Sequence, residues 1–162
     1  MKNTTLRFGL ALTIALVMVL AANFAFAQGK SDKKAEKQEM KQVNKEANKT
    51  GAKAEETADQ LGRNVVFCIL AAHTTGVGTA QQLRDKFNTL QDFPFGQFVA
   101  AVLLADKIDK PLDEIIMKLV DGMSIGQITK EADVNMGEVK SHFGQFRSEL
   151  AHSQTNPPTN CF

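Results

Sequence analysis

Three histidines and two cysteines are the side chains of this 162-residue sequence best suited to nucleophilic, redox or metal chemistry. His73, His142 and His152 share no metal-ligand spacing, and no Cys-x-x-Cys, His-Glu-x-x-His, Gly-x-Ser-x-Gly or phosphate-cradling glycine loop occurs. Asp109, Asp113 and Glu114 gather at the start of an expected helix, where carboxylates complement the helix dipole; acid–base chemistry would need a cleft around them. The sequence therefore predicts no catalytic residue, no cofactor and no metal site, and an enzyme is the class it supports least. Cys68 and Cys161 have two readings. In an oxidising compartment they can join, clasping the tail to the helix that carries Cys68. Otherwise Cys68 is a small buried hydrophobe and Cys161 a tail thiol able to cross-link two chains.

A pattern of apolar-Gly-Gln-apolar occurs three times, at Phe95-Gly96-Gln97-Phe98, Ile125-Gly126-Gln127-Ile128 and Phe143-Gly144-Gln145-Phe146. Glycine inside a helix costs about 1 kcal/mol relative to alanine, so three at equivalent places ask for a cause. Close helix crossing is one, with the apolar residues at i and i+3 gripping the neighbour. A groove that admits a partner helix is the other.

Composition bounds the elements that position these residues. With 19 Lys plus Arg against 18 Asp plus Glu, net charge names no partner. Eleven Phe, no Trp, no Tyr, four Pro and 43% hydrophobic residues favour a helical core over a sandwich or barrel, and they exclude a membrane channel, a collagen-like rod and a dense disulfide scaffold.

Residues 1–27 read as a secretory signal: Lys2 and Arg7 precede the apolar stretch from Phe8 to Ala22, and Ala25-Phe26-Ala27 offers a small-x-small cleavage site. The rival is an uncleaved membrane anchor, since Lys30, Lys33, Lys34 and Lys37 outnumber the leading charges and oppose simple export. Residues 28–60 hold eight Lys, seven Asp or Glu, and only Met40 and Val43 as apolar side chains larger than Ala. Such a segment is expected to be a disordered or transiently helical linker, because it cannot bury enough surface to offset its ordering entropy. Its lysines at 33, 37, 41, 45, 49 and 53 would wind around a helix as a solvated spacer or as an adhesive strip for anionic lipid heads or wall polymers.

Residues 61–150 form the expected domain, and 151–162 a disordered tail. The apolar run from Val65 to Ala72 predicts the central helix. Thr79 to Gln82 reads as a capping box that opens a second helix with Leu83, Phe87 and Leu90. Pro94 starts a third with Phe98, Val99 and Val102; Pro111 starts a fourth that Gly122 closes; Ser124 to Gln127 and Asn135 to Glu138 open the last two. The fold class is all-α, a small bundle of about five to six short helices after the Lys-rich segment.

Residues 124–150 resemble the helix-turn-helix of tetracycline-repressor-type regulators, on Ile128, Ala132, Val134 and the Phe143-Gly144 pair. Thr129 and Asp133 depart from that pattern, where the family has a small Ala and a turn Gly. The resemblance implies DNA binding, but the segment carries Lys130, Lys140 and Arg147 against Glu131, Asp133, Glu138 and Glu149, and phosphate contacts dominate nucleic-acid affinity. Residues 95–146, with Phe-Gly-x-Phe, Leu-Leu-Ala-Asp, Lys-Pro-Leu-Asp-Glu-Ile and Asp-Gly-Met-Ser-Ile-Gly-Gln-Ile, also look like a group of small exported bacterial proteins of unassigned function. That likeness implies export and an all-helical domain and supplies no site residues.

The expectation is a small exported protein, periplasmic or extracellular, that interacts with a protein or an anionic envelope polymer. No nucleic acid is expected as a partner, and membrane contact only through an uncleaved signal or weakly through the Lys-rich segment. The alternative is a helix-turn-helix DNA-binding protein, membrane-anchored if the signal is retained.

Overall fold

The structure is a computed structural model that describes residues 5–158, with side chains from residue 33 onward. Among the described residues it is all-helical, with seven helices and no strand: α1 (Thr5–Leu61), α2 (Arg63–His73), α3 (Ala80–Thr89), α4 (Phe95–Ile108), α5 (Leu112–Val120), α6 (Ile125–Glu131) and α7 (Met136–Ser153). Helices α2 to α7 are the six that the sequence predicts. The seventh, α1, covers the segment expected to be a linker. The chain divides into two units, the first ending at Gln38 and the second beginning at Glu39. Within the second unit Val43, Ala47, Ala54, Thr50 and Thr57 are buried. The expected domain boundary at residue 61 is therefore too late, and the linker reading is corrected from Glu39 onward. Counting only side chains larger than Ala hides a seam of small ones, spaced 4, 3, 4 and 3 residues apart on one helical face.

The central helix is α4, not the run after Leu61. From Phe98 to Ala105 every residue of α4 is buried, whereas α2 buries Val66, Phe67 and Leu70. Helices α2, α5, α6 and α7 all pack on α4. On α2, the apolar residues that mislead are Ala72, which is exposed, and Cys68, Ile69 and Ala71, which are partly so. The tail boundary also moves: α7 runs to Ser153, which is buried, and Gln154 accepts a hydrogen bond from Lys53 Nζ at 3.0 Å.

Local signals place the helix ends. Thr79 and Ser124 form reciprocal capping boxes with Gln82 and Gln127, and Asn135 accepts from the amides of Gly137 and Glu138. Three helices close with the paired bonds of a Schellman motif. Lys110 N donates to Ala105 O, Met123 N to Lys118 O and Val134 N to Thr129 O, around left-handed residues Asp109, Gly122 and Asp133. An aspartate at φ 53° is tolerated there, but glycine fits without a Cβ penalty. Replacing exposed Asp133 by Gly is expected to stabilise the protein by about 0.5–1 kcal/mol, less the entropy glycine adds to the unfolded chain. A urea melt whose midpoint falls in Asp133→Gly would contradict this.

Among the described residues no helix is long and apolar enough to cross a membrane. The signal expected over residues 1–27 has no described side chains.

Candidate functional site

The three Gly-Gln repeats meet one partner, α1. Gly96 and Gly51 oppose each other so closely that a Cβ on Gly96 would lie 2.7 Å from the Gly51 carbonyl oxygen, and one on Gly51 would lie 2.7 Å from that of Gly96. A Cβ on Gly126 would lie 2.5 Å from the Met40 carbonyl oxygen. The third repeat touches α1 differently: the Thr50 hydroxyl donates to the Phe143 carbonyl at 3.2 Å, while a Cβ on Gly144 would meet open space. The apolar partners Phe95, Phe98, Ile125, Ile128, Phe143 and Phe146 are all buried in the one core.

The difference between the repeats follows from their places in the helices. Phe95 and Ile125 are first residues of α4 and α6, so the amides of Gly96 and Gly126 have no intrahelical acceptor. Side chains of α1 supply one. Glu55 Oε1 accepts from Gly96 N at 3.0 Å, and Asn44 Oδ1 accepts from Gly126 N at 2.7 Å. In both cases the residue of α1 that touches the glycine, Gly51 or Met40, precedes the capping residue by four. The two sets are eleven residues apart, close to three turns of 3.6 residues, and so share one face. Gly144 lies inside α7, where its amide is already bonded along the helix.

Beside these crossings an open groove of about 620 Å³ runs between α1, α4, the end of α5 and the start of α6. Asn44, Asn48, Glu55 and Gln97 line its polar side, and Leu119 and Met123 its apolar side. Elsewhere on α5, Met117 and Val120 are exposed at 61% and 69%. Amides, a carboxylate and aliphatic side chains in an open cleft can bind by hydrogen bonding and apolar contact.

The helix-turn-helix segment forms α6, a tight turn and α7, and two of its basic side chains, Arg147 and Lys140, bond to α1. Arg147 donates to Glu46 Oε2 at 2.6 Å and Lys140 to Gln42 Oε1 at 2.9 Å. The Arg147 hydrogen bond, with a second from Lys49, holds the Glu46 carboxyl below the usual glutamate range. The acidic group at the start of α5 is dispersed: Asp113 pairs with Lys86, Glu114 with Lys118 at 3.0 Å, and Asp109 caps α4. Cys68 is disulfide-bonded. Cys161 lies outside the described residues.

Sequence reasoning finds no association between His73 and His142, which stand 69 positions apart. Their rings lie 4.7 Å apart between centroids, and His73 also meets Phe146 edge-on at 5.3 Å. Among the described residues no group of three or more His, Cys, Asp or Glu is placed to hold a metal ion.

No family model, curated protein or solved structure matches the chain.

Proposed function

We propose that the chain is a small exported helical binding module that holds a partner protein or an anionic envelope polymer at the groove between α1, α4 and α6. The observation that carries this reading is the groove itself, which stays open beside crossings where α1 already serves as the inserted helix. A partner therefore meets a preformed cleft, with the apolar residues Leu119 and Met123 in its lining. Exposed lysines at 41 and 45 of α1, within the second unit, favour an anionic partner.

DNA binding through residues 124–150 is the weaker reading. Its arginine and one of its lysines are engaged by α1, and spending them on phosphate would expose Glu46.

Photo-crosslinking in the native host tests the proposal. With a photoreactive residue at Gln97, the protein is expected to begin at Gln28 and to form a discrete covalent adduct. The same residue at exposed Gln145 on α7 is expected to give little. Equal labelling from both positions, or submicromolar sequence-selective binding of duplex DNA, would overturn it.

A further inference from the structure

Two largely buried imidazoles face each other where α2 ends. His73, the last residue of α2, has an 8% exposed side chain and sits against His142 and Phe146 on α7. Its Nδ1 lies 2.9 Å from Glu149 Oε1, so the neutral ring donates there and leaves Nε2 as a bare lone pair. The Nε2 atoms of His73 and His142 are both buried without a hydrogen-bond partner. Asp106 Oδ2 is 3.4 Å from His142 Nε2, outside bonding geometry, because Oδ1 of the same carboxylate accepts from Thr75 N at 2.6 Å. Thr75 begins the loop that joins α2 to α3 and carries Gly76 and Gly78 at φ 136° and 146°. That loop borders a cavity of about 220 Å³ that also reaches Leu112.

We propose that His73 and His142 form an acid-sensitive latch, in which protonation of the pair lifts the end of α2 from α7 and releases the loop 74–79 from Asp106. The charged groups facing the pair are Asp106 and Lys107 on α4 and Glu149 on α7. Lys107 is itself held by Glu138 Oε2 at 2.9 Å. The carboxylates favour a first proton. A second would stack two cations at 4.7 Å, next to Lys107, with a new N–H on a buried nitrogen: at His73 Nε2 no acceptor is in place, and at His142 Nε2 there is only the Asp106 carboxylate 3.4 Å away, already held by Thr75. Glu149 is half exposed, so water screens its compensation, and Asp106 cannot turn fully to His142 without loosening Thr75.

Burial, then the neighbouring His73, push the His142 imidazole below the ordinary histidine value of 6.5. The sign follows. As pH falls below that value the unfolded or opened chain takes up protons that the closed form refuses, so the closed form loses stability with acidification. The α2 end is the part free to yield, since two glycines follow it, whereas His142 lies within a long helix.

The test is NMR on the full chain: imidazole titration, together with the hydrogen-exchange protection factor of the Thr75 amide between pH 7.5 and 5.0. Protection at Thr75 is expected to fall at least tenfold while buried α4 amides such as Leu103 keep theirs. His142→Gln is expected to flatten that dependence, and His73→Gln serves if the first variant does not fold. A change of less than twofold at Thr75 in the parent, or two imidazoles titrating independently at the ordinary value, would overturn the proposal.

Discussion

Gly96→Ala melts well below the parent protein, by about 2–3 kcal/mol, although alanine is the better helix former by about 1 kcal/mol. The new methyl carbon would sit 2.7 Å from the Gly51 carbonyl oxygen and 2.8 Å from its carbon, both backbone atoms of α1. No rotamer change relieves such a contact. The helices must separate, and separation weakens the Glu55 bond to the α4 terminus and opens the seam around Ala47 and Ala54. Gly126→Ala acts in the same way against Met40. Gly51→Ala and Gly96→Ala combined should cost less than their sum, because the helices need to part only once. Gly144→Ala is the control: it faces open space within a helix and should stabilise by up to about 1 kcal/mol. Denaturant midpoints decide the matter, and a Gly96→Ala protein as stable as the parent would show that the backbones are not in contact.

Truncation produces the largest effect. A chain starting at Glu39 should unfold cooperatively with an unchanged midpoint, since the second unit begins there. A chain starting at Leu61 should show no cooperative transition. It lacks Val43, Ala47 and Ala54, which belong to the same core as α4 and α7, and it leaves the amides of Gly96 and Gly126 without their acceptors. A domain held by about 5–15 kcal/mol does not survive loss of one wall of its core. Ala54→Asp, which places a carboxylate at a fully buried site, should approach the same outcome without any deletion. Circular dichroism melts and amide dispersion in NMR spectra read both. A sharp transition at the parent midpoint in the chain lacking residues 1–60 would restore the linker reading.

Short-range chemistry is what the sequence makes readable. Thr79, Ser124 and Asn135 bind amides two or three residues away, and Pro94 and Pro111 act at their own positions, so five helix starts follow from local pattern. The seam of α1 obeys the same periodicity but uses Ala, Thr and Gly, whose burial contributes little area each and resembles a solvated helix when only large residues are weighed. The repeated glycines point to close approach while hiding which helix approaches, because Glu55 and Asn44 reach Gly96 and Gly126 from 41 and 82 residues away. The His73 and His142 pair leaves no mark in the sequence at all. Its geometry is set by where α2 stops on α7, a product of core packing.

The smallness of the α1 seam also bears on how the chain reaches its fold. Synthesis and any vectorial transport proceed from the N-terminus, so residues 39–61 emerge before α4, α6 and α7, their partners at separations reaching 101 residues. Contacts so distant in sequence form late. A helix with a leucine seam would spend that interval exposing a sticky stripe that recruits chaperones or other copies of itself. One lined with alanine, threonine and glycine offers little for aggregation to grip, and becomes adhesive only when a glycine on a later helix comes close enough for two backbones to touch. The waiting helix is thus protected by its weakness, and the late-arriving glycines hold the specificity.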